Sequence, residues 1–315
     1  MLFRSAGCWG ANDAGQLGNG TIAPATMPAE AAAPWGPGTT LTTQQVRKWS
    51  AAKVAKTAIA SRPNVSARAR RGNTSVQVMT FNILGSQHTA PGGARPNFAP
   101  GRVRAEWAKN LITQRGATLV GLSEPQPDQI TSLDVATHGD FSIFPGNTMG
   151  YDAAPQSVMW KDSEWAYVWS NTVQMPFMKA SRPQALVRLR NKGTGQEVYW
   201  LNAHLSPGKM RDDRDKGMEI IKQVVKQLSS DGLPVLVTGD LNEHAKAFRR
   251  IACPLDMNAA VGGRTQGKAC QLPKAMRVDW IFGKGGTFDT TEVNQGAQVR
   301  RTTDHAVVSS RFSVQ

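Results

Sequence analysis

Six short polar islands occur in one order along the chain, each at the end of an apolar run: Thr80-Phe81-Asn82, Ser123-Glu124, Asn202-Ala203-His204, Gly239-Asp240-Leu241-Asn242, Val278-Asp279-Trp280 and Thr303-Asp304-His305. Between them they offer carboxylates, amide groups and imidazoles. Carboxylate and amide oxygens suit a hard divalent cation, and imidazoles near neutral pH give or take a proton. Together these groups match the needs of a phosphate bound beside a metal ion. Each island also has a plainer reading. Asn82 fits a turn, Asp240 with Asn242 fits an Asx-turn, and Glu124 before Pro125 fits a helix cap.

Chemistry of this kind needs elements that converge. Val76–Phe81, Thr118–Leu122, Val198–Leu201 and Val235–Thr238 are apolar runs with β-branched residues and read as buried strands. Further strands are expected at 141–144, 157–160, 165–169, 185–190 and 306–309. Val103, Trp107 and Leu111 place one face of a helix over 101–114. Met218, Ile221, Val225 and Leu228 do the same over 213–229. Adjacent strands without intervening helices argue against a purely parallel sheet. The pattern predicts an α/β (α+β) fold with two mixed sheets face to face and helices outside.

The chain has 315 residues, 40% of them apolar. The first 75 are rich in Ala, Thr, Pro and Gly and poor in large aliphatics, which predicts a largely irregular N-terminal extension before one domain at 75–315. Within it, residues 8–21 resemble one repeat of the regulator-of-chromosome-condensation-type β-propellers, so 1–22 read as a partial repeat. One blade cannot close a propeller. Residues 23–74 read as a mostly disordered linker, with a weak helix over Thr43–Ala60. Net charge is +14, half of it in the first 75 residues, which favours polyanionic partners or serves as a solvated basic surface. No run of 18 apolar residues is present, which predicts no membrane span. Cys253 and Cys270 flank Val261-Gly262-Gly263-Arg264. A disulfide there suits an exported protein, and two free thiols are the alternative.

Taken together in this order, the islands resemble those of the endonuclease/exonuclease/phosphatase superfamily, the deoxyribonuclease I-like fold, over about residues 75–315. The resemblance implies a four-layer sandwich, a divalent ion (Mg2+, with Mn2+ or Ca2+ as alternatives) and in-line hydrolysis of a phosphoester. It implies metal contacts at Glu124, Asn82 and Asp304. It places Asp240 and Asn242 at the scissile phosphate and attacking water. His305, oriented by Asp279, is expected as general base, with His204 opposite it on the phosphate or leaving group. Lys161 and Arg182 are candidate phosphate contacts, as are Lys209 and Arg301 in the rim. His88, His138 and His244 have no counterpart and read as surface histidines.

The fold alone does not choose the phosphoester. Nine basic residues lie near the islands: Lys209, Arg211, Arg214, Arg264, Lys268, Lys274, Arg277, Arg300 and Arg301. A basic rim favours nucleic acid. The polar or Gly-rich loops at 145–156, 206–216 and 256–276 give no apolar entry into lipid. A nuclease or related phosphodiesterase is therefore expected, as a monomer. A phosphoinositide phosphatase or sphingomyelinase-type phospholipase is the alternative, and a non-catalytic binding module the third reading. Secretion is favoured by the cysteine loop, although no signal peptide is visible at the start; a cytoplasmic protein is the alternative.

Overall fold

The structure is a computed structural model that describes residues 40–70, 72–265 and 270–314. The propeller-like stretch, and Lys268, lie outside the described residues. Two six-stranded mixed sheets pack face to face. The first runs β11-β12-β1-β2-β4-β3, with β1 Thr74–Asn82, β2 Leu119–Ser123, β3 Phe141–Phe144, β4 Val158–Lys161, β11 Thr287–Asn294 and β12 Val307–Val314. The second runs β5-β6-β7-β8-β10-β9, with β5 Trp165–Phe177, β6 Ala180–Asn191, β7 Glu197–Asn202, β8 Val235–Asp240, β9 Asn258–Ala259 and β10 Asp279–Lys284. Two parallel pairs, β1/β2 and β7/β8, are joined by helical crossovers, and the other strand pairs are antiparallel.

Helices close both outer faces. Against the second sheet lie α1 (Thr43–Lys48), α2 (Ala51–Ile59) and α5 (Arg211–Ser229), sharing one core through Val46, Val54, Ala58, Met218, Ile221, Val225 and Leu228. Thus part of the stretch read as a linker is packed, and the weak helix expected at 43–60 is two capped helices. Thr42 and Ser50 accept from the backbone N–H of Gln45 and Lys53, which fixes each N-terminus. The first sheet is covered by α3 (Gly101–Gln114), α4 (Pro127–Ala136) and a later helix, α8 (Ala297–Thr302). Among the described residues between α5 and α8 there is only a short helical run, α6 (Ala245–Ala247) and α7 (Cys253–Leu255), linked by a wider turn of π type.

Two element readings need correction. The face of α3 turned to the sheet carries Arg104, Ala105, Ala108, Leu111 and Ile112, while Val103 is exposed. Small alanines let the helix sit close, so the large apolar residues were a poor guide to its inner face. Strand β5 also runs to Phe177, well past 169. Its second half contains buried polar residues, Asn171, Thr172 and Gln174, which break the apolar pattern. Asn171 Nδ2 donates to Ala58 O at 2.7 Å, so its amide is buried with its bond made to α2.

The two sheets are stitched by a buried polar chain. Trp200 Nε1 donates to Thr238 Oγ1 (2.9 Å), which donates to Asn202 Oδ1 (2.8 Å). Asn202 Nδ2 reaches across to Leu122 O (2.8 Å) and Ser157 O (3.2 Å) of the other sheet. Asn202 therefore works at the interface of the sheets, and only His204 of its island reaches the site.

Cys253 and Cys270 form a disulfide, 17 residues apart in sequence. Closing a loop of this length stabilises by about 3 kcal/mol in the chain-entropy account. Cys253→Ser is expected to lower the urea midpoint accordingly. The wild type should match it after reduction; an unchanged midpoint in both would show that the bridge contributes nothing.

Candidate active site

Strand direction and register bring the islands together. Asn82 ends β1 beside Ser123, the last residue of the parallel strand β2, so Glu124 follows at the same edge. In the second sheet Asn202 pairs with Thr238, and Leu205 N donates to Asp240 O at 2.9 Å, which sets His204 level with the end of β8. Strand β10 runs the other way, so its first residue, Asp279, lies directly opposite Asp240. Strand β12 likewise runs against β1, and the Asp304-His305 pair just before it arrives at the same edge. Thr303 Oγ1 donates to Asn82 O at 2.7 Å and ties that arrival to β1.

Asp240, almost fully buried, is the hub. Its Oδ2 lies 3.2 Å from Asn82 Nδ2, 3.6 Å from His204 Nε2 and 3.7 Å from His305 Nε2. Its Oδ1 accepts from Asn242 N at 2.9 Å, so the Asx-turn reading is also met. Asn242 Nδ2 donates to Leu205 O, fixing the turn against the His204 loop. His305 Nδ1 bonds Asp279 Oδ2 at 2.9 Å, which turns its Nε2 toward Asp240. Burial opposes a charge on the His305 ring, but Asp279, helped by Asp240 and Asp304, pushes it up to about 10. Burial and the facing Asp240 push Asp279 up, against the pull of His305. The bond to Asp279 thus favours the protonated imidazole.

Glu124 is held in a left-handed backbone conformation (φ 67°), which costs a non-glycine residue about 1–2 kcal/mol. Its N–H donates to Pro155 O at 2.7 Å. Its carboxylate receives Asn82 Nδ2 at 3.0 Å and Gly85 N at 3.2 Å, and lies 3.2 Å from His88 Nε2. Burial works against the charge, yet His88, His204, Asn82 and Gly85 together hold this carboxyl far below the usual range. Glu124 does not cap α4; the capping box there is formed by Gln126 and Gln129.

Asn82 donates through Nδ2 to both carboxylates, and its Oδ1 accepts from Leu84 N (3.0 Å). As arranged, it positions Glu124 and Asp240. The remaining donor chemistry fits a hard divalent ion. Ligand atoms of Asp240, Asp279 and His305 lie within 4.8 Å of one another, Glu124 faces the same cluster through Asn82, and Asp279 Oδ1 is buried with no hydrogen-bond partner among the described residues. His204 Nδ1 is likewise buried and unpartnered among them.

The substrate-binding expectations divide. Arg182 lies over the Phe177 ring at 4.5 Å, and that ring meets His204 edge-on at 5.2 Å, so Arg182 borders the site. Lys209 is exposed on the loop after His204. Lys161 is elsewhere: β4 runs against β2, so Lys161 lies beside Thr118, at the opposite end of the sheet and roughly 20 Å from Glu124. It pairs with Glu164 at 3.2 Å. Arg301 stacks on Trp107 of α3 at 4.8 Å, outside the cluster. Arg214 is paired with Glu243 at 2.9 Å, and Asp304 with Arg95 at 2.9 Å, so the rim is less basic than the sequence suggests.

Three residues of the site were missed. His88, read as a surface histidine, bonds Glu124; His138 and His244 are exposed as expected. Arg95 closes on Asp304 from the same irregular segment, where no periodicity ties a residue to a strand end. Buried Arg104 donates to Ala99 O (2.8 Å), Ile83 O (2.6 Å) and Thr302 O (3.2 Å), joining the segments that carry Asn82, His88 and Asp304. A charged residue at a helix position reads as exposed, so no pattern in the sequence marks it.

No family model and no curated protein sequence matches the chain. Solved structures do. An endonuclease/exonuclease/phosphatase family protein of Bacteroides thetaiotaomicron has a TM-score of 0.60 at 14% identity, over 78% of this chain and 96% of that one. A mannosyl-6-phosphatase of the same organism has a TM-score of 0.58 at 14% identity, over 75% and 99%. TDP2 of D. rerio, complexed with a single-strand DNA product, has a TM-score of 0.58 at 17% identity, over 76% and 99%. The chain thus has the fold of the endonuclease/exonuclease/phosphatase structures, as the ordered islands imply.

Proposed function

We propose that this chain is a divalent-metal-dependent phosphoester hydrolase and that its substrate is a nucleic acid phosphodiester. The observation that carries this reading is the placement of Asp240 between two imidazoles, with His305 held by Asp279. A fold shared with a sugar phosphatase and with a DNA-bound enzyme supports the wider class.

A divalent ion, Mg2+ in the first instance, would be held by Glu124 with help from Asp240 or Asp279 and would supply charge relief on the phosphoryl oxygens. Asp240, fixed by Asn242 and Asn82, orients the attacking water and draws off its proton. The water oxygen bonds to phosphorus as the bond to the leaving oxygen breaks. The family resemblance implies His305 as base. Because Asp279 keeps its ring protonated, the better role is donor of a proton to the phosphoryl or leaving oxygen. His204, buried beneath Phe177, offers Nε2 to the phosphate from the opposite side, and Arg182 adds charge at the rim.

The test is cleavage of plasmid DNA and of RNA with Mg2+, with Mn2+ and with EDTA. Cleavage is expected to stop on chelation and return when Mg2+ is restored. Full activity in EDTA would defeat the metal-dependent reading. Phosphate release from sugar phosphates or phosphoinositides, with nucleic acids left intact, would select a phosphatase on the same scaffold.

A further inference from the structure

Beside His305 a second cavity opens, outside the cluster of strand ends. It encloses about 370 Å3 and is lined by Phe98, Gln295, Arg300, Thr303, Asp304 and His305. This volume falls within the range of small-ligand pockets. His305 belongs to both spaces, so whatever occupies the cavity lies next to a phosphate bound at Asp240.

The walls are built and held. Phe98 is half-buried on the segment leading into α3, its N–H donating to Arg95 O at 3.2 Å. Arg95 in turn pairs with Asp304, closing that side. Gln295 is gripped from two directions. Arg277 Nη2 donates to its Oε1 at 2.8 Å, and Arg300 Nη1 to its backbone O at 2.6 Å. That leaves Gln295 Nε2 as a free donor among the described residues. The result is an aromatic ring, an oriented amide and the Arg300 guanidinium around one space.

A bare phosphate or a polyol has no use for the aromatic wall. A lipid tail would not be set against a held amide and an arginine. A heteroaromatic ring uses all three, by stacking on Phe98 and by hydrogen bonds along its edge. We propose that this cavity is a nucleobase subsite, with Phe98 as its stacking platform and Gln295 as the group that meets the base edge. The proposal rests on the phosphoester hydrolase reading and names its substrate as a nucleotide-bearing diester.

Two chromogenic diesters with one leaving group test it: the p-nitrophenyl ester of thymidine 5′-phosphate and methyl p-nitrophenyl phosphate. Phe98→Ala is expected to raise KM about tenfold or more on the thymidine ester and to leave the methyl ester within about twofold. Phe98→Tyr should restore the thymidine ester, because it keeps the ring face. Saturation-transfer NMR should show thymidine monophosphate on the wild type in contact with aromatic protons that are lost in Phe98→Ala. Equal losses on both esters, or unchanged NMR transfer, would overturn the subsite while leaving the hydrolase reading intact. Turnover of neither ester by the wild type with Mg2+ or Mn2+ would overturn the hydrolase reading and this subsite with it.

Discussion

Asp240→Asn is expected to lower kcat by about 10³-fold or more with little change in melting temperature. The substitution keeps shape and one acceptor oxygen, so the bond from Asn242 N (2.9 Å) survives. It removes the charge that lies between His204 and His305, where the proposed mechanism aims and deprotonates the water. Loss of a positioned base or charge of this kind costs about 10²–10⁴-fold. KM should move far less than kcat, because the lost interaction is made chiefly in the transition state. A variant that retains a tenth of the wild-type kcat would remove Asp240 from the chemistry. A companion substitution tests the imidazole. Asp279→Asn removes the partner that raises His305, while burial, which lowers it, stays. If His305 gives a proton, the alkaline limb of the pH–rate profile moves to lower pH in Asp279→Asn. Movement of the acid limb instead would return His305 to the base role. The sign for stability follows from the same pair. His305 is raised in the folded state, so its contribution is complete below the ordinary imidazole range near 6.5 and is lost as pH rises through about 10.

How far the sequence foretold this arrangement depends on strand direction. The runs ending at Asn82, Ser123, Asn202 and Asp240 were visible because their strands are buried on both faces and read as unbroken apolar stretches. What a single sequence does not show is which way each strand runs. In a mixed sheet the last residue of an antiparallel strand lies at the far edge, which is why Lys161 missed the site while Asp279, at the first position of β10, reached it. His88 and Arg95 were hidden for another reason. They reach Glu124 and Asp304 from an irregular segment, and only its path in space, pinned by Arg104, brings them there. The helix at 51–59 carries a weak periodic signal because its buried face is mostly alanine, with only Val54 and Ile59 as large aliphatics.

Gly239→Ala should be the more damaging change to the fold, although it adds one methyl group beside the hub. Gly239 has φ of 136°, a conformation that side-chain-bearing residues rarely adopt, and a Cβ there would lie 1.9 Å from Ala203 O and 2.7 Å from Ala203 C. Neither contact is with a flexible side chain. The backbone of Ala203 passes directly over Gly239, and that crossing sets His204 above Asp240. Relief requires the two chain segments to separate, which breaks the bond from Leu205 N to Asp240 O. Overpacking alone costs about 1–3 kcal/mol, and a forced backbone outlier a further 1–3 kcal/mol. A loss of about 4 kcal/mol is expected, read as a fall in the urea midpoint with activity lost in parallel. Gly116→Ala is the control. Gly116 also has positive φ (59°), but no heavy atom lies within 4 Å of its would-be Cβ, so only backbone strain of about 1 kcal/mol is expected there. If both variants lose the same stability, the close crossing of Ala203 over Gly239 is not what demands glycine ahead of Asp240.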